Sequence, residues 1–264
     1  MRELYERIMA YDGCDCFAEV LSPWLGENSA EVGWLAEVAG KEQDAWRPTG
    51  EELCRLYAFA RVNELLLLAF QSPPPEGWPG PRLSREQYGA FLVGLGMKIV
   101  VEAKFDPLFH EIVAVESDRD FRAPIELVRE IWPGAMLGDL VFSRAGTAVR
   151  AGACEIAPAI ASGSTLYWAH RRHHRPAVDL SVGWGGNSQW RTAFRRDYVT
   201  ASTSCFNADG ARNVRDPAPD DHPAHDELSV EQRIELLTHR CFVRTELPHE
   251  DRWPYDDRLA VPRP

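Results

Sequence analysis

The chain has 264 residues, 45% of them hydrophobic and 26% charged, enough to bury a real core and ordinary for a folded protein. Its formal net charge of −11, with lysine only at positions 41, 98 and 104, disfavours general nucleic-acid binding, because an acidic surface repels phosphate backbones. No apolar run approaches the roughly 20 residues that a membrane-spanning helix needs, and Met1-Arg2-Glu3-Leu4 opens no signal core, so a cytoplasmic protein without membrane association is expected.

In chain order, Glu3–Met9 carries Leu4, Ile8 and Met9 and reads as a short amphipathic helix. Cys14 and Cys16 follow; their offset does not suit a Cys-x-x-Cys metal or redox pair, and reduced thiols are expected throughout. Ser29–Val38 repeats the helical pattern. Thr49 with Glu52 three residues on is a capping box, and the helix it starts ends in the apolar run Leu65–Phe70, which should be buried. Five prolines between Ser72 and Pro81 stop it and mark a boundary. Ser84 with Gln87 opens a shorter helix through Leu95.

From Met97 the hydrophobic period shortens. Lys98–Ala103, Glu111–Glu116, Ile125–Ile131, Leu140–Phe142 and Thr147–Val149 read as strands of a compact meander, with Ile125, Leu127 and Ile131 on one face. Trp132-Pro133-Gly134-Ala135 suits a type II turn. Asp106-Pro107 suits a turn in which Asp106 accepts from a backbone donor two residues on, with His110 placed to lock it. Beyond Gly152 the pattern weakens. Thr165–Ala169 reads as a strand, Gly183–Asn187 as a loop, Trp190–Tyr198 as helix or strand, and Ala208–Asp226 as a surface loop. Ser229 with Gln232 starts a last helix through His239, and the chain ends extended. The expected fold is α+β: a helical part over residues 1–80, a β domain with its entering helix over 82–152, and a mixed extension over 153–264.

Two segments carry a resemblance. Phe105-Asp106-Pro107-Leu108-Phe109-His110-Glu111 is followed, at a plausible gap, by Trp132-Pro133-Gly134-Ala135-Met136-Leu137-Gly138-Asp139 and a β run ending near Arg150. In that order they resemble the head domain of GrpE-type nucleotide exchange factors, over about residues 96–152. The resemblance implies a non-enzymatic interaction protein that contacts a DnaK-type chaperone and releases its nucleotide. Its implied contact residues are Asp106, His110, Asp139 and Arg144. The chain also departs from the family. No heptad pattern runs for the three or four repeats that the family's long coiled coil needs, Leu140 stands where a basic residue is usual, and Ser143-Arg144-Ala145 is without the family's proline.

A rival reading is an enzyme acting on an anionic small molecule. Its pocket would combine His170, Arg171, Arg172, His174 and Arg175 with Trp184, Asn187, Trp190 and Arg191. Arginine forks suit carboxylates and phosphates. His170 and His174 share a helical spacing that a zinc pair can use, with Asp179 as a third ligand, but the adjacent arginines oppose a cation. Neither a metal nor a cofactor is expected. The same arginines also suit pairing with the acidic stretch Asp216–Glu231, or plain surface charge. A third reading is a specialised bacterial module.

Overall fold

A computed structural model describes residues 1–72, 78–163, 168–170, 193–216, 228–247 and 256–263. The fold is α+β. Among the described residues lie the helices α1 (Arg2–Met9), α2 (Ser22–Glu27), α3 (Ser29–Ala39), α4 (Gly50–Leu66), α5 (Arg85–Gly94), α6 (Pro158–Gly163) and α7 (Val230–His239). The strands are β1 (Lys98–Ile99), β2 (His110–Ser117), β3 (Glu126–Trp132), β4 (Ala135–Leu137), β5 (Leu140–Ser143), β6 (Ala145–Ala151), β7 (Tyr198–Val199), β8 (Thr203–Phe206), β9 (Arg212–Asn213) and β10 (Asp257–Pro262). None of these helices is long and apolar enough to cross a membrane.

The chain divides into two compact units. The first takes in Met1–Val100, Ala135–Ser143 and Ala169–Arg195, and the second Val101–Gly134, Arg144–Trp168 and Arg196–Pro264. The proline-rich stretch after Ser72 thus lies within the sequence span of the first unit.

In the first unit, local signals place the helices. The Thr49 hydroxyl accepts from the Glu52 amide while the Glu52 carboxylate accepts from the Thr49 amide, and Ser84 with Gln87 closes a second box in the same way. The run after Asn63 is buried as expected from Leu65 through Leu68, and Leu67–Phe70 tightens into a 3-10 turn. The π-turn Phe17–Leu21 and α2 have no comparable signal, and the sequence reading missed both. α4 and α5 share a buried polar junction: Asn63 Nδ2 donates to Ser143 Oγ at 3.0 Å, and Tyr88 Oη donates to Asn63 Oδ1 at 2.6 Å. Burial pushes the Tyr88 phenol up.

β1, β4 and β5 form an antiparallel ladder in this unit. Leu137 pairs with Leu140, so Gly138 and Asp139 are a two-residue connection. Gly138 has φ +59°, and a Cβ there would collide with the Ala39 carbonyl oxygen. A positive φ at the first central position alone is the pattern of a II′ hairpin turn. The type II turn expected at Trp132–Ala135 does not form, because Gly134 lacks the positive φ it requires; Pro133 and Gly134 simply link β3 to β4.

The second unit holds the remaining strands of the middle segment. β6 is the centre of a three-stranded sheet, parallel to β2 and antiparallel to β3. The pairing is thus not a run of sequence neighbours, since β4 and β5 lie between the paired strands in the chain. Apart from the exposed Arg150, β6 is built of Ala, Gly, Thr and Val and is buried. Val149 and Ala151 share a core with Ile112, Ile156, Ala161, Cys241 and Val243, against which Ile125 and Leu127 pack. Bulges fall at Val128 and Ile131, so Ile125, Leu127 and Ile131 do not keep the strict alternation expected of them. β8 pairs antiparallel with β7 and β10, and β10 runs parallel to β9. The extended C-terminus is therefore an interior strand, and the expected loop after Ala208 contains β9. The capping box of Ser229 with Gln232 opens α7, and Arg240 ends it in the left-handed conformation.

Candidate functional site

The Phe105–Glu111 motif folds as a locked turn in the second unit. Asp106 Oδ1 accepts from the Leu108 amide at 2.8 Å, the interaction its position two residues upstream predicts. The Asp106 carbonyl accepts from the amides of Phe109 and His110, at 3.0 and 2.9 Å. His110 Nδ1 lies 3.0 Å from the Asp106 nitrogen and 3.1 Å from its oxygen. The neutral ring with an unprotonated Nδ1 accepts from that N–H; with Nδ1 protonated it donates to that carbonyl. His110 is 4% exposed, and burial holds its pKa below the ordinary value despite the nearby Asp106, Glu102 and Glu130. The aspartate and histidine of the motif therefore hold backbone.

Arg144 sits deeper. It is 6% exposed, buried where the resemblance implies a contact residue. Nε donates to the Pro107 carbonyl at 2.9 Å, Nη2 donates to Asp197 Oδ2 at 2.7 Å, and the guanidinium carbon lies 3.8 Å from the Trp168 ring centroid. Trp132 Nε1 donates to the Arg144 carbonyl. Asp197 Oδ1 accepts from the Asn207 amide at 2.6 Å, and Asn207 Nδ2 donates to the Asp257 carbonyl. Asp257 Oδ1 accepts from Arg212, and Arg233 lies 3.7 Å from Oδ2. This buried polar network ties Arg144, the residue before β6, to the C-terminal strands. Asn207, at φ +49°, suits the bend because asparagine tolerates the left-handed region.

Asp139 is exposed, at the tip of the β4–β5 hairpin in the first unit. Of the rival pocket, only His170 is described, and it is buried. Arg171, Arg172, His174, Arg175, Asp179, Trp184, Asn187, Trp190 and Arg191 lie outside the described residues, as does most of the strand expected at Thr165–Ala169. Arg196 pairs through two nitrogens with Asp209. Among the described residues no group of His, Cys, Asp or Glu is placed to hold a metal ion.

Sequence reasoning missed the partners that make Arg144 a core residue, because Asp197 is 53 residues away in the chain. It also missed His239, which stacks on Phe105. Only its place in the last turn of a capped helix marked its location. Compared with known proteins, the chain matches no protein-family model, no curated protein and no solved structure.

Proposed function

We propose that the protein is a non-enzymatic interaction factor that binds a protein partner through the turns of its middle segment. The partner class is a DnaK-type chaperone, on the resemblance of the two motifs to the GrpE head. The observation that carries this reading is the Asp106–His110 turn: both titratable residues of the motif are committed to backbone hydrogen bonds, and burial lowers the pKa of the imidazole. That arrangement makes a stiff loop for recognition. In the first unit, Asp139 is by itself an exposed carboxylate on a two-residue turn whose backbone Gly138 fixes.

The work of such a factor is a shift of population. It binds the open form of its partner better than the closed form, and the difference in affinity sets how far nucleotide release is promoted. The test is release of a fluorescent ADP from a DnaK-type chaperone. Saturating chain should speed release by about tenfold or more, a lowering of about 1.4 kcal/mol in the barrier to release. Asp139→Lys, an exposed change that leaves the fold intact, should reduce the effect. Release unchanged by the chain would remove the exchange reading.

A further inference from the structure

The loop between β2 and β3 holds an aromatic ring out in solvent. Phe121 is 62% exposed. Among the described residues its ring stacks on no other, and it takes no part in the core around Ile112 and Val149. The backbone beneath the ring is fixed. The amides of Asp118, Gly152 and Cys154 donate to the carbonyls of Ala151, Ala123 and Phe121, at 2.9, 3.0 and 3.1 Å. Asp118 Oδ1 accepts from the Asp120 amide at 2.8 Å, and Asp120 Oδ1 accepts from the Arg122 amide at 2.9 Å. A Cβ at Gly152 would lie 2.3 Å from the Phe121 carbonyl oxygen, so glycine is needed where the loop passes the end of β6.

The charges around the ring balance. Asp118, Arg119, Asp120 and Arg122 bring two negative and two positive charges to one short loop, in a chain whose net charge is −11. Arg119 and Arg122 are exposed, and neither forms an ion pair among the described residues. Asp120 is exposed as well, and the turn engages only its Oδ1. The loop therefore presents acid, ring and base side by side, on a backbone that is already set.

We propose that Phe121 is the centre of a twofold contact between two copies of this chain. A patch that meets itself must carry its own complement. Asp120-Phe121-Arg122 does so: a twofold axis beside Phe121 sets ring against ring and turns Asp120 of each copy toward Arg122 of the other. Two chains of net charge −11 repel as they approach, and that repulsion is least where the local charges cancel. A foreign partner would have to bring carboxylates around an apolar pocket, whereas a second copy already has the ring and both charges. The fixed backbone leaves little loop freedom to lose on contact, and the paired rings are withdrawn from water. One loop from each copy covers well under the roughly 800 Å² a side of a stable interface, so the dimer should be half assembled on the order of 100 μM. The inference needs no chaperone and stands apart from the exchange reading.

Sedimentation equilibrium of the full chain, from about 5 to about 500 μM, tests it. The mean mass should climb from that of one chain toward that of two. Phe121→Ser leaves the backbone bonds of the loop in place and should weaken assembly by about tenfold or more. Arg122→Asp sets like charges against each other and should weaken it comparably. Asp120→Asn keeps the acceptor for the Arg122 amide and removes only the charge, so it should weaken assembly about threefold. Val93→Ser, which removes a 59% exposed side chain in the first unit, should leave assembly unchanged. A natural chain that stays single over the whole range overturns the proposal. So does assembly that Phe121→Ser and Arg122→Asp leave as strong as before, or that Val93→Ser weakens as much as they do.

Discussion

Arg144→Met should lower the stability of the protein by about 3–5 kcal/mol, the usual result of removing one partner of a buried ion pair. The substitution strips Asp197, itself 2% exposed, of the guanidinium opposite Oδ2, and strips Pro107 of the donor to its carbonyl. Methionine fills a similar volume, so most of the loss is electrostatic. Arg144→Lys should recover only part of it, because an ammonium cannot reach Pro107 and Asp197 from one planar fork or stack on Trp168 as flatly. The double change Arg144→Met with Asp197→Leu should regain most of the stability, since apolar replacements of similar volume often match a buried ion pair. Denaturant midpoints at constant slope measure all three. A loss below about 1 kcal/mol, typical of an exposed pair, would return Arg144 to the surface as a contact residue.

Trp132→Ala should cost about 3–5 kcal/mol, the range for deleting a large buried aromatic. Trp132 is fully buried at the end of β3, and its indole N–H donates to the Arg144 carbonyl at 3.0 Å. It lies over Gly146, its register partner on β6, and a Cβ at Gly146 would strike the indole ring. Gly146→Ala should therefore destabilise as well, by about 1–3 kcal/mol, because overpacking forces the ring or the strand to shift. Trp132→Phe should fall between the natural chain and the alanine variant, as it keeps the ring but leaves the Arg144 carbonyl without its donor. Thermal unfolding with the indole signal as probe, checked against denaturant unfolding, ranks the three variants. A Trp132→Ala protein as stable as the natural chain would contradict the packing described for β3 and β6.

What could be read in advance was what depends on neighbours in the chain. Three capping boxes need residues only three positions apart, and Thr49, Ser84 and Ser229 all start helices where expected. The Asp106 turn is equally local, and its side chain meets the Leu108 amide as its position predicts. What could not be read depends on distant partners. Nothing near Arg144 announces Asp197, and nothing near Phe105 announces His239. Short apolar runs announce strands but not their neighbours, so the parallel pairing of β2 with β6 was illegible. The C-terminal strand was equally hidden, because Asp257–Pro262 carries the charge and proline of a surface tail and yet lies between β8 and β9. At the candidate site, the local reading of Asp106 and His110 as a turn lock agrees with their hydrogen bonds, while nothing near Arg144 in the chain announced its burial.

The most direct test of the exchange reading is calorimetric titration of the chain into the nucleotide-binding domain of a DnaK-type chaperone, once empty and once saturated with ADP. Linkage requires that a factor which weakens ADP binding be itself weakened by ADP to the same degree. The reading predicts about tenfold or more tighter binding to the empty domain, in step with the loss of ADP affinity that the chain causes. Equal affinity for both forms, or no heat of binding to either, would contradict it.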